Sequence, residues 1–149
     1  MQKTTPPLTS NLLTLSLVAA LAVTLGCAKA HKPDAVTLQG KWTGEEAGAP
    51  AKGINTLALT GSNLEFHGVN TNEWYKGTYT LHEDANPKQM IVVVTDCPAP
   101  QYVGKTANAI YQIVDGALTI TANEPGNPAF PAAFNAPNMP AIVFKMEKP

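Results

Sequence analysis

The dipeptide Asp115-Gly116 stands between two β-forming runs, residues 105–114 and 117–123. Asp-Gly suits a two-residue type I′ turn, which takes positive φ at both central residues and matches the twist of the strands it joins. So short a turn fixes the hairpin register: Val114 faces Ala117, Ile113 faces Leu118 and Tyr111 faces Ile120. Tyr111, Ile113, Leu118 and Ile120 then share one face, with Gln112, Thr119 and Thr121 on the other. An apolar face backed by a polar one is the pattern of an antiparallel sheet wet on one side only. The fold must therefore cover the other side.

The same alternation runs through the rest of the chain. Strands are predicted over residues 37–43, 54–60, 64–69, 73–81, 89–95, 105–114, 117–123 and 141–147, and no stretch keeps a convincing helical period. Gly61-Ser62-Asn63, Asn70-Thr71-Asn72 and Asn86-Pro87 mark turns between them. Residues 124–140 contain five prolines and read as a long loop outside any sheet. Eight strands in sequential hairpins are the number at which a closed barrel just holds side chains or one small ligand. The predicted fold is all-β, a single eight-stranded antiparallel up-and-down barrel. In its first strand, Leu38-Gln39-Gly40-Lys41-Trp42, Gly40 lets the backbone bend at the barrel floor and Trp42 plugs that floor. A chain of 149 residues has room for one such domain.

Before the barrel comes a processing signal. Lys3 lies in a short polar start without acidic residues, and residues 12–25 are an uncharged, mostly apolar run, too short for a confident membrane span and the length of a secretory h-region. Thr24-Leu25-Gly26-Cys27 follows and resembles the lipobox of bacterial lipoproteins. That resemblance implies cleavage before Cys27, thioether lipidation of its sulfur and acylation of the new amino group. An ordinary secretory signal cut near Ala28 or Ala30 is the alternative. Residues 1–26 are then the signal peptide, 27–36 the lipidated cysteine and a tether, and 37–149 the barrel. The expected location is the cell envelope, and Ala28 after the cysteine points by analogy to the outer membrane or surface rather than the inner membrane.

Composition argues against several functions. All ten basic residues are lysines and the net charge is -1, so nucleic-acid readers, which lean on arginine's planar donor fork, are disfavoured. His31, His67 and His82 fall in the tether, a strand and a turn, without a second ligand at a useful spacing, and no metal or cofactor is expected. Ser62 lies in a turn, carboxylates are scattered among different turns, and no catalytic constellation emerges. The expectation is not an enzyme. Cys97, beside Pro98, lacks an intramolecular partner if Cys27 is lipidated and reads as a half-buried thiol, with an intermolecular disulfide or a reactive thiol as the other possibilities.

Gly40-Lys41-Trp42 at the head of an eight-strand meander resembles the lipocalin signature. More closely, the chain resembles a lipocalin-like domain family of small secreted bacterial proteins, through Leu38-Gln39-Gly40-Lys41-Trp42, Gly77-Thr78-Tyr79, Asn86-Pro87-Lys88, Ile110-Tyr111-Gln112-Ile113, Asp115 to Ile120, Glu124-Pro125-Gly126 and Ile142-Val143-Phe144-Lys145. The resemblance implies that Lys145 places a cation over the floor tryptophan, and that the interior binds a small apolar molecule.

Alternation assigns Leu57, Leu59, Phe66, Tyr79, Met90, Val92, Tyr111, Ile113, Leu118, Ile120 and Phe144 to the interior, with the two tyrosine hydroxyls to orient a guest. Phe130, Phe134 and Met139 on the proline-rich loop are expected to cover the mouth. Ile91 and Val93 face outward. Two functions follow: a lipid-anchored barrel that binds a small apolar ligand, or a filled barrel that serves as an envelope interaction or structural module without one. The size of the interior cavity separates them. The expected partners are the membrane, reached through the lipid on Cys27, and a small hydrophobic ligand, with no nucleic acid.

Overall fold

The computed structural model describes residues 32–48, 53–136 and 139–147. Cys27, the signal peptide and the start of the tether lie outside them. A helical turn, α1 (Asp34–Thr37), precedes β1 (Gly40–Glu46), β2 (Asn55–Thr60), β3 (Asn63–His67), β4 (Trp74–His82), β5 (Lys88–Asp96), β6 (Thr106–Val114) and β7 (Ala117–Ala122). The short pair β8 (Asn135–Ala136) and β9 (Met139–Pro140) follows, then β10 (Ile142–Met146). Eight strands close a barrel in the order β1-β10-β7-β6-β5-β4-β3-β2, and β8 and β9 form a separate ladder within the proline-rich loop.

The hairpin predicted at Asp115-Gly116 is present in the expected register, Val114 opposite Ala117, Ile113 opposite Leu118 and Tyr111 opposite Ile120. Asp115 has φ 51° and Gly116 φ 77°, the pair of positive values that a type I′ turn requires. Closure of the barrel depends on close approach elsewhere. A Cβ on Gly44 would come within 2.7 Å of the Phe144 ring, and one on Gly77, beside the register shift in β4, within 2.5 Å of the Val93 carbonyl oxygen. Phe144 therefore fills the space that Gly44 leaves.

One end of the barrel is sealed. Trp42 and Leu38 are 1% and 0% exposed, and the Trp42 indole N–H donates to the Leu38 carbonyl at 2.9 Å. Here the structure differs from the expected first strand over 37–43 and from a tether reaching residue 36. The chain turns helically from Asp34 and crosses beneath the barrel before β1 begins. Asp34 is only 3% exposed, accepts from Lys88 Nζ at 2.6 Å and from the Tyr111 hydroxyl at 2.9 Å, and its backbone N–H donates to Glu83. A buried carboxylate needs such partners, and they come from strands far away in sequence.

Strand parity also corrects the reading of Lys145. Phe144 faces inward at 0% exposure, so its neighbour Lys145 faces outward, opposite Thr43 and exposed to solvent rather than over Trp42. Met90, Val92 and Val94 point inward, and Val93 is 41% exposed on the outside, as expected of that strand.

The floor carries a pH dependence. Burial, reinforced by the hydrogen bond and charge of Asp34, raises the Tyr111 phenol well above its ordinary range. In the unfolded chain a tyrosine ionises near pH ~10. Above that pH the unfolded state releases a proton that the folded state keeps, so this contribution is intact below pH ~10 and lost as the pH rises. Urea unfolding from pH 8 to 11 should show stability falling above pH ~10. Tyr111→Phe should flatten that fall while losing ~1–3 kcal/mol at neutral pH. An identical alkaline slope in the variant would exclude Tyr111 as the group responsible.

Candidate functional site: a cavity at the barrel mouth

Inward-facing side chains are large at the floor and small at the mouth. Trp42, Leu59, Tyr79, Met90, Tyr111 and Leu118 pack the sealed half, each buried. Ala107, Ala109 and Ala122 occupy inward positions toward the other end, where β6 begins and β7 ends. Eight strands enclose only enough space for side chains or one small guest, so small residues at the mouth leave a hole. It measures about 430 Å³ and is walled by Leu57, Leu64, Phe66, Val92, Val94, Ala107, Ala109, Ile120, Ile142 and Phe144. That volume lies within the ~300–1,000 Å³ of small-molecule pockets.

The rim is polar. Glu73, Tyr75, Tyr102 and Glu124 border the opening together with Pro125 and Pro140. Glu73 precedes Tyr75 by two residues and Glu124 follows Ala122 by two, so both acids continue the inward parity of their strands past the strand ends. Tyr102, carried by the short 3-10 turn Pro100–Tyr102, donates its hydroxyl to Glu124 Oε1. Burial raises the Tyr75 phenol above its usual value, helped by the nearby Cys97, Glu73 and Glu124. Cys97 itself is 7% exposed, and its thiol donates to the Ala99 carbonyl at 3.0 Å. Among the described residues no group of three or more His, Cys, Asp or Glu side chains is arranged to hold a metal.

Of the residues assigned to a ligand from sequence, Leu57, Phe66, Val92, Ile120 and Phe144 line the cavity. Leu59, Tyr79, Tyr111, Ile113 and Leu118 share their inward parity but lie in the packed core toward the floor. Their tyrosine hydroxyls are not available to a guest. Tyr79 donates to the Gly61 carbonyl at 3.0 Å and Tyr111 to Asp34. Parity alone assigns a face and says nothing of height along the barrel, which the floor turn decides. Leu64, Glu73, Val94, Ala107 and Ala109 were legible by the same alternation within the expected strands, and Glu124 by extending it one residue past the strand expected over 117–123. Trp74 faces outward, with Lys76 Nζ 5.9 Å from its ring centroid.

The proline-rich loop does not place its phenylalanines over the mouth. Asn108 and Asn123, both 7% exposed, hold it: Asn108 Nδ2 donates to the Pro128 carbonyl at 2.9 Å, and Asn123 Nδ2 to that of Ala129 at 2.7 Å. Asn108 pairs with the outward-facing Ile91, so this segment of the loop runs along the outside of β6 and β7. Ile110 on that outer face is 1% exposed. Phe130 and Phe134 are half-buried and absent from the cavity wall, to which the loop contributes Glu124, Pro125 and Pro140. The Met139 side chain lies outside the described residues.

No protein-family model matches the chain, and no curated protein or solved structure is similar to it.

Because the loop is a strap, cutting its fastening should loosen it. Asn108→Ala leaves the Pro128 carbonyl without its donor and should cost ~1–3 kcal/mol. Limited proteolysis should then cut faster within residues 127–134. Unchanged stability and an unchanged cleavage rate would show that the strap is held by something else.

Proposed function

We propose that this chain is an exported, lipid-anchored lipocalin-like protein that binds one small apolar molecule in the mouth half of its barrel. The single observation that carries the ligand is the cavity of about 430 Å³, apolar in its walls and polar only at its rim. Such a site gains affinity from apolar burial and orientation from a few polar groups. The alternative, a filled barrel acting as an envelope module without a ligand, suits the packed floor half of the interior and leaves the mouth half unexplained. With no catalytic constellation at the rim, the reading is a carrier or sensor rather than an enzyme.

The test uses the purified protein, native mass spectrometry for a co-purified molecule, and titration with the neutral fluorophore N-phenyl-1-naphthylamine. Saturable one-to-one binding is expected. Ala107→Phe, which adds a ring where the wall is small, should weaken it at least tenfold while the far-ultraviolet circular dichroism is retained. No co-purified mass together with no saturable probe binding would favour the filled-barrel module.

The anchor rests on the apolar run ending at Gly26-Cys27. One acyl chain alone binds membranes only marginally, whereas the several carried by a modified cysteine hold firmly. Cys27→Ser should move the protein from the membrane to the soluble fraction and abolish labelling with a clickable fatty acid. Membrane association that survives the substitution would remove the anchor from the proposal.

A further inference from the structure

We propose that the cavity selects single-chain amphiphiles with an amine or quaternary-ammonium head over those with a carboxylate or sulfate head. The proposal rests on the ligand-binding reading above and adds the charge of the guest. An amphiphile in a barrel sealed at one end has one orientation open to it. Its tail enters the apolar wall and its head stays at the wet rim. The charge of the rim then decides which head is accepted.

That charge is negative. Glu73 and Glu124 stand at the ends of β4 and β7, which β5 and β6 separate, so the acids border the opening from two different strands. Both act on the same phenol, Tyr75. The Glu73 carboxylate packs over Gly68, where an added Cβ would lie 2.5 Å from it. Glu124 is fixed by the Tyr102 hydroxyl. Neither acid makes an ion pair among the described residues, and none of the described wall residues is basic. Lys105, two residues before Ala107 at the mouth end of β6, is exposed, runs its stem past Gly126 and is not among the residues that line the cavity.

Two unneutralised carboxylates beside a low-dielectric wall attract a cationic head and repel an anionic one. Tyr75 and Tyr102 add ring faces at the same rim, and such faces favour cations. A quaternary ammonium needs no directional hydrogen bond, which fits a rim where the Tyr102 hydroxyl is already committed to Glu124.

The experiment is displacement of N-phenyl-1-naphthylamine from the purified protein by dodecyltrimethylammonium, dodecanol and dodecanoate, each below its micelle concentration. The cation should displace the probe at about one-tenth the concentration that the anion needs, with the alcohol between them. Raising the salt to ~0.5 M should narrow the gap, because partly exposed charges are screened. Glu73→Gln/Glu124→Gln, with displacement referred to the variant's own probe affinity, should lose most of the preference. Glu73→Gln alone, on an exposed turn residue, should lose part of it and serves if the double variant does not fold. Normal probe binding with equal displacement by all three, with a preference for dodecanoate, or with a preference unchanged in the Gln variants would overturn this inference and leave the ligand reading intact. Absence of probe binding altogether would overturn both.

Discussion

The indole of Trp42 is where the chain's separate elements meet. Its ring closes one end of the barrel, and its N–H is satisfied by the Leu38 carbonyl, the residue on which the helical turn ends. Removing an aromatic side chain of ~150–250 Å² from water, at ~25 cal/mol per Å², gives at most ~4–6 kcal/mol. That is a large share of the ~5–15 kcal/mol by which a domain is stable. The buried hydrogen bond matters as much for geometry, because an unpaired indole N–H would be costly in a dry floor. Satisfying it draws residues 34–38 under the barrel. Asp34 is thereby carried into reach of Lys88 and Tyr111, 54 and 77 residues away in the chain.

With the floor closed, the interior is left with a gradient of side-chain volume. Its sealed half is filled by Trp42, Met90, Tyr111 and Leu118, which are at most 1% exposed. Its mouth half is lined on β6 and β7 by Ala107, Ala109 and Ala122, which cannot meet the opposite wall. Strand number fixes the width of the tube, and residue size then decides whether a given height is solid or hollow. The same chain thus contains a filled barrel and a ligand-sized hole, one above the other. The acids that border the hole are continuations of strand parity, placed where solvent can still hydrate them.

The proline-rich loop illustrates how an apolar segment can be used without facing a cavity. Its prolines keep it out of the barrel's hydrogen-bond ladder, and its small β8–β9 pair forms a ladder of its own. Buried asparagines on the outer face supply donors to its carbonyls instead. This explains why Ile110 is buried although it points away from the barrel axis. It also explains two polar residues, Asn108 and Asn123, that the wet-outside pattern would have left exposed. Thr121 Oγ1, buried on the same outer face, has no partner among the described residues, and nothing in the structure explains it.

What the sequence determined by itself was local and periodic. Asp115-Gly116 set a register through the φ values a short turn demands, alternation set which side chains face inward, and the count of strands set a closed barrel, because an antiparallel meander of that length leaves two edges that can pair. Trp42 was identifiable as the floor for the same reason, by its place two residues beyond Gly40. The tertiary structure decided everything that depends on height or on distant partners. Asp34 looked like part of a tether, since Lys88, Tyr111 and Glu83, which bury and hold it, are brought together only by closure. Tyr79 and Tyr111 looked like ligand contacts until Gly61 and Asp34 claimed their hydroxyls, and Lys145 looked like a floor cation until Phe144 took the inward position beside it. Alternation has a period of two and fixes a face. The length along a barrel axis at which large residues give way to small ones is a sum over eight strands, and no single stretch of sequence contains it.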